Sequence, residues 1–354
     1  MDTVISNKTR LFVRHSRALS LELADIENFA LQQNEVFLGT AGSVITRTNA
    51  SGFAYFAHKY LDGDRKHRES YLAGPVGSDD AEATAKALRE RIAEVKDLVS
   101  TLRMLGREGF NLVDAKTYST IAVLHNHGVF EAGGMLIGSH AYGVILNRMG
   151  VRATPYTTED IDIARREALA FKKLPDQGLL QILRESGVDF VEVPSLNRKE
   201  PATSFKQKGK GRFHVDLLVP SPNETFPTVA VPELQAHATA LPYLGYLLKE
   251  SQTSVVMARE GCCSVRIPIP ERFAVHKLVV SQLRTGREAK SIKDIEQASV
   301  LCAALAELFP GAIEDAVEAL SSKMTKHFRK SLPSTRKLLE NAAPLAWAEL
   351  SGTP

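Results

Sequence analysis

Residues 158–164 read Thr158-Glu159-Asp160-Ile161-Asp162-Ile163-Ala164. Carboxylate and isoleucine alternate with the two-residue period of a β-strand. Asp160 and Asp162 therefore share one face, and Ile161 and Ile163 share the other. The isoleucine face asks for a core. On the opposite face two carboxylates stand side by side and repel, and a buried pair keeps one proton unless a cation neutralises it. Paired carboxylates next to phosphate oxygens are a usual way of holding Mg2+ or Mn2+. Asp160 and Asp162 are the first candidate metal ligands.

Downstream, Phe213-His214-Val215-Asp216-Leu217-Leu218-Val219 is again strand text, with a single carboxylate. If this strand pairs beside the first, Asp216 completes a three-carboxylate cluster. Three acids can hold two metals, one activating an attacking oxygen and the other steadying a leaving group. Upstream, Leu136-Ile137-Gly138-Ser139-His140 reads as a strand, a turn and the start of a helix. Gly138 permits close backbone approach. A helix N-terminus presents free N–H groups and positive potential to phosphate, and the Ser139 hydroxyl adds a hydrogen bond.

A Gly-Ser at a strand end, an Asp-x-Asp on the next strand and a lone Asp on a later strand together resemble the polymerase-beta-like nucleotidyltransferase superfamily. The fuller text is Gly138-Ser139-His140-Ala141-Tyr142, Gly150-Val151-Arg152 and Thr158 to Ala164. It is similar to a bacterial group of nucleotidyltransferase-fold proteins of uncharacterised substrate. Phe273-Ala274-x-His276-Lys277-Leu278 and Lys290-x-x-Lys293-Asp294-x-x-Gln297-Ala298 resemble the same group, and a related helix occurs in abortive-infection toxin-type enzymes. The resemblance spans Thr117 to Ser299; the first hundred residues match only in layout. About twenty residues separate Ser139 from Asp160, more than in many members, so 150–158 is expected to loop out.

The resemblance implies a metal-dependent enzyme that moves an NMP from an NTP and releases pyrophosphate. The NTP phosphates would sit at Gly138 and Ser139, with Lys277 and Lys293 as triphosphate ligands and Asp294 orienting them. Asp160 and Asp162 would hold metal against the triphosphate. Asp216 would join a second metal and help deprotonate an acceptor hydroxyl on RNA, such as a tRNA end, or on a protein. The alternative is a catalytically silent nucleotide-binding or toxin–antitoxin partner module.

Other signals have plainer readings. His125-Asn126-His127 spells a nuclease motif, but that chemistry needs a ββα metal fold, and here the letters end a helix before Gly128. Lys206-Gln207-Lys208-Gly209-Lys210-Gly211-Arg212 is either a solvated hairpin tip or a phosphate contact beside the Asp216 strand. Cys262-Cys263 is strand text.

The remaining text sets the frame. A helix is expected from Ser20 to Gln33, and β-rich text from Val36 to Ala73. A long helix from Asp80 to Leu105 opens on a capping box of Asp79 and Glu82. Segments 243–248, 253–258 and 264–267 suggest a β meander. Helices follow over 271–283, 288–308, 312–323 and 333–350. The expected fold class is α/β (α+β). An α+β region, 1–110, precedes a nucleotidyltransferase-fold mixed-sheet core, 111–235, and a meander with a helical domain, 236–354. With 44% hydrophobic and 24% charged residues, the 354-residue chain has the composition of a soluble globular protein. Its net charge of +3 is too mild to imply nucleic acid by itself. Three cysteines without a C-x-x-C pair argue against a disulfide framework or zinc site and fit a reducing cytoplasm. No apolar run suggests a signal peptide or membrane span.

Overall fold

In the computed structural model, which describes residues 10–154, 158–195, 200–284, 286 and 288–352, the chain opens with β1 (Val13–Arg14) and α1 (Arg17–Gln32). Ser16 caps α1 by accepting from the Leu19 N–H at 3.4 Å, so the helix begins ahead of Ser20. Next come β2 (Ser43–Thr48), β3 (Ala54–Leu61) and β4 (His67–Ala73), an antiparallel three-stranded sheet. The long helix α2 (Asp79–Arg107) braces it. Its cap differs from the expected Asp79–Glu82 box. Ser78 is extended, and its hydroxyl accepts from the Ala81 N–H, while Glu82 reaches back to the Gly77 N–H at 3.1 Å. Asp79 lies inside the first turn, where its charge suits the helix dipole instead.

The core follows as α3 (Ala115–Asn126), β5 (Met135–Ile137), α4 (Gly138–Arg148), β6 (Val151–Arg152), β7 (Asp160–Ala164), α5 (Leu179–Arg184), β8 (Phe190–Glu192), β9 (Ser204–Gln207), β10 (His214–Pro220), β11 (Thr228–Val231) and β12 (Ala236–Leu241). His125 and Asn126 do end a helix. The Asn126 side chain bonds both backbone groups of Val36, and its role is to tie α3 to the N-terminal region. One mixed sheet runs β11-β12-β10-β7-β5. β10 is its hinge strand. Along one edge it pairs with β7 in parallel; along the other, β9 meets its first half and β12 its second. The sheet thus continues past residue 235. Ile161, Ile163, Val215 and Leu217 are all buried, the apolar half of the alternation in each strand. Each such side chain contributes roughly 1.5–3 kcal/mol of burial.

The C-terminal part comprises α6 (Leu244–Leu247), β13 (Ser251–Met257), β14 (Cys262–Pro268), α7 (Pro270–Ser281), α8 (Glu288–Leu308), α9 (Ala312–Glu318), α10 (Ser322–Leu339) and α11 (Pro344–Gly352). The expected three-part meander is a hairpin, β13–β14. Segment 243–248 instead forms the short helix α6, entered through Tyr243 in the left-handed conformation (φ 62°) and burying Leu244 and Leu247. Helix 312–323 stops at Glu318 because Ser321 caps a new helix, α10, which runs through Pro333. The core sheet and the C-terminal helices share one continuous apolar cluster, including Ile161, Phe273, Leu301 and Leu350. Among the described residues, no helix is long and apolar enough to cross a membrane.

Candidate active site

The parallel pairing of β7 and β10 sets Asp216 directly opposite Asp162, and His214 opposite Asp160. Antiparallel pairing sets Ile137, the end of β5, opposite Asp162 on its other side. Three strand positions thereby bring Asp160, Asp162, Asp216 and the Gly138-Ser139 turn to one place. All five line a cleft of about 860 Å³ between the sheet and helices α7 and α8.

Gly138 meets two demands there. Its φ is +67°, a conformation that L side chains rarely adopt. An added Cβ would also stand 2.0 Å from Asp162 Oδ2. The carboxylate lies tight against the backbone that opens α4, so Ser139 and the first N–H groups of that helix face the same cleft as Asp162.

Crowding of like charge is visible at the carboxylates. Burial, followed by the neighbouring Asp216 charge, pushes Asp162 up to about 6. Asp216 is also penalised by burial, but hydrogen bonds from His214 and Ser204 hold it below the usual carboxylate range. His214 is the residue that sequence reading missed. Its Nδ1 lies 3.3 Å from Asp160 Oδ1 and its Nε2 3.4 Å from Asp216 Oδ2. The Asp216 contact raises it to about 9, so at neutral pH an imidazolium bridges the two acids. A usable signal existed: His214 precedes Asp216 by two residues, and strand alternation puts both on one face.

Helices α7 and α8 form the opposite wall, with Lys277, Arg284, Lys290, Lys293 and Asp294 all facing the cleft. Lys277 and Asp294 are buried and paired at 2.6 Å. Arg284 binds the other oxygen of Asp294 at 2.8 Å. These two cations hold Asp294 below the usual carboxylate range in spite of its burial. Lys277 is thus a positive charge fixed in the wall rather than a mobile arm. Lys293 is half-buried, and burial and then Lys277 pull it below the ordinary lysine range. The basic stretch Lys206 to Arg212 lies outside this cleft, although it leads into β10. Lys208 approaches Asp189 at 4.0 Å, and Lys116 bonds Gln207.

An acidic sheet wall therefore faces a basic helical wall, with a helix N-terminus at their junction. Such a cleft can hold a polyphosphate together with a cation. The donor set suits a hard divalent ion: oxygen ligands alone, one of them, Asp162, pushed up by burial and then by the Asp216 charge, both of which a bound cation would offset. The His214 ring stands between Asp160 and Asp216, within 3.4 Å of each. As the side chains stand, no group of three or more His, Cys, Asp or Glu among the described residues is arranged to hold a metal.

A protein-family model described as a nucleotidyltransferase matches residues 115–321, more than half of the chain. The match takes in both walls of the cleft. No curated protein and no solved structure matches the chain.

Proposed function

The chain belongs to this nucleotidyltransferase family, and from that premise we propose that it transfers an NMP from an NTP to a hydroxyl of RNA or protein, releasing pyrophosphate. The observation that carries the reading is the polarity of the cleft: carboxylates in register on β7 and β10, facing cations on α7 and α8. Asp160, Asp162 and Asp216 would hold Mg2+ or Mn2+, which supplies charge neutralisation at the phosphates and acidifies a bound hydroxyl. Ser139 and the N–H groups that open α4 bind phosphate oxygens. Lys277, fixed by Asp294, and Lys293 draw the β- and γ-phosphates toward the helical wall. Phe226, Leu241, Leu244 and Leu247 give the base an apolar wall.

The acceptor hydroxyl gives its proton to Asp216, and its oxygen attacks the α-phosphorus in line. A new P–O bond forms, the α–β P–O bond breaks, and pyrophosphate takes the bonding pair. His214, released from between the acids, stays within reach to balance their charge. The kinship with bacterial abortive-infection, toxin–antitoxin-type enzymes belongs to this proposal, as does a cytoplasmic location. The second reading is a silent nucleotide-binding module. It is favoured by one observation, the His214 ring standing between Asp160 and Asp216 where a cation would be needed.

The test pairs binding with transfer. Purified protein is incubated with each α-labelled NTP, Mg2+ or Mn2+ and cell lysate, and labelled products are digested with nuclease or protease. Asp216→Asn is nearly isosteric and removes one charge. We expect NTP affinity within about tenfold of wild type, or roughly 1.4 kcal/mol, while transfer falls by orders of magnitude. A folded Asp216→Asn protein that labels at the wild-type rate refutes the catalytic assignment. Metal-independent NTP binding without any labelled product favours the silent module.

A further inference from the structure

A second cleft, of about 1130 Å³, is lined by Arg65, Arg103, Arg107, Arg152 and Arg259, with Asp114 and Glu260 as its acids. No lysine lines it. The arginines come from four separate segments: the β3–β4 turn, the end of α2, strand β6 and the β13–β14 turn. Arg65 pairs with Glu260 at 2.6 Å, and Asp114 is occupied in capping α3. Arg103, Arg107, Arg152 and Arg259 are exposed and make no ion pair among the described residues. Compensation of the α2 dipole accounts for Arg103 and Arg107. It does not account for Arg65, Arg152 and Arg259. Gathered like charges raise the energy of the folded chain unless an anion offsets them. Guanidinium is the group that grips phosphate with two parallel hydrogen bonds.

This cleft and the candidate active site each share lining residues with a third cavity. That cavity, of about 280 Å³, shares Asn111, Leu112, Val113 and Asp114 with the arginine cleft, and Ser139 and Thr158 with the carboxylate cleft. On the reading proposed below, a chain bound on the arginines would pass Ser139 and deliver its end to the carboxylates. Phe110, the aromatic residue of the cleft among the described residues, is buried and stacked on His15, so it offers no face to a base. The surface reads backbone charge, not sequence.

We propose that the arginine-lined cleft seats the phosphodiester backbone of the acceptor, a nucleic-acid strand whose terminal hydroxyl enters beside Ser139. This rests on the transfer reading above, but strand binding measured without NTP stands or fails separately. The experiment is fluorescence anisotropy of the full-length protein with labelled single-stranded RNA and DNA of unrelated sequences, over a salt series. It compares wild type with the combined Arg103→Gln, Arg107→Gln, Arg152→Gln, Arg259→Gln variant and with the four corresponding Arg→Lys changes. Each strand contact removed should cost about tenfold in affinity and flatten the log–log salt slope by about 0.7. The lysine variant should keep the slope and lose part of the affinity, because charge is retained and the fork is lost. NTP affinity should stay at the wild-type value in both. Preference for RNA over DNA, or the reverse, identifies the strand. The proposal is overturned if the wild type binds neither strand, if the glutamine variant binds as wild type, or if binding is lost only on changing Lys206, Lys208 and Lys210. It is equally overturned if the glutamine variant fails to label a protein acceptor while strand binding is absent throughout, since the cleft would then serve an acidic protein.

Discussion

Gly138→Ala tests the junction of the two walls. The substitution has two separable consequences. An alanine at φ +67° carries the left-handed penalty, about 1–2 kcal/mol. With unfolding entropy of about 2.1 cal/mol/K per residue, a chain of 354 residues loses roughly 1.3 °C per kcal/mol, so the melting temperature should fall by roughly 1–3 °C. Second, the new Cβ would stand 2.0 Å from Asp162 Oδ2 and 3.0 Å from its Cγ. Carbon and oxygen normally approach to about 3.3 Å, so the carboxylate must retreat by more than ~1 Å. Misplacement on that scale costs on the order of a hundredfold in rate. Gly128→Ala supplies the control. Gly128 has φ +71° but nothing within 4 Å of its added Cβ, so it meets the strain without the clash. Thermal melting, NTP calorimetry with Mg2+ and label transfer should be run on both. The two variants should lose similar stability, and Gly138→Ala alone should lose NTP affinity and transfer. A Gly138→Ala protein that transfers as fast as Gly128→Ala would show that the position of the Asp162 carboxylate does not matter, and the site as argued would fail.

The charge triad of the helical wall makes an ordered prediction. Asp294→Ala leaves the buried Lys277 ammonium without its partner and should cost about 3–5 kcal/mol. Lys277→Met leaves Asp294 still bound to Arg284 and should cost less; denaturant melts giving the reverse order would refute the account. Acid sensitivity follows from His276, which is buried and which burial, then the Lys277 charge, lowers from 6.5 to about 3. Because the folded value is the lower one, the unfolded chain takes the proton first. Stability is therefore complete above about pH 6.5 and declines as pH falls toward 3. By pH 5 the loss is on the order of 2 kcal/mol, set by the unfolded value alone. His276→Gln should flatten the fall in melting temperature between pH 7.5 and 5, and parallel curves for the two proteins would contradict this.

Local text carried the strands and their faces. Alternation in 159–164 and 213–219 placed Asp160, Asp162 and Asp216 opposite a buried apolar face, because side-chain direction along a strand follows from backbone geometry alone. The Gly138-Ser139 turn was legible for the same reason: a strand followed by a helix needs a break there, and glycine supplies it. Segment 243–248 misled, since a short apolar run has no period that distinguishes strand from helix, and the left-handed Tyr243 is a decision of the packing around it. Register was beyond the sequence. That Asp216 faces Asp162, rather than lying one residue off and on the other side of the sheet, is fixed by the burial of Val215 and Leu217 against the shared core. The same register puts His214 between two acids: alternation already sets it on the face of Asp216, but its contact with Asp160 depends on the pairing of β7 with β10. The arginine cleft is the furthest case. Its five guanidinium groups lie between residues 65 and 259, on segments far apart in the chain that meet at this cleft only in the folded protein. The net charge of +3 conceals it, because a sum over the chain carries no information about where charges gather once the chain is folded.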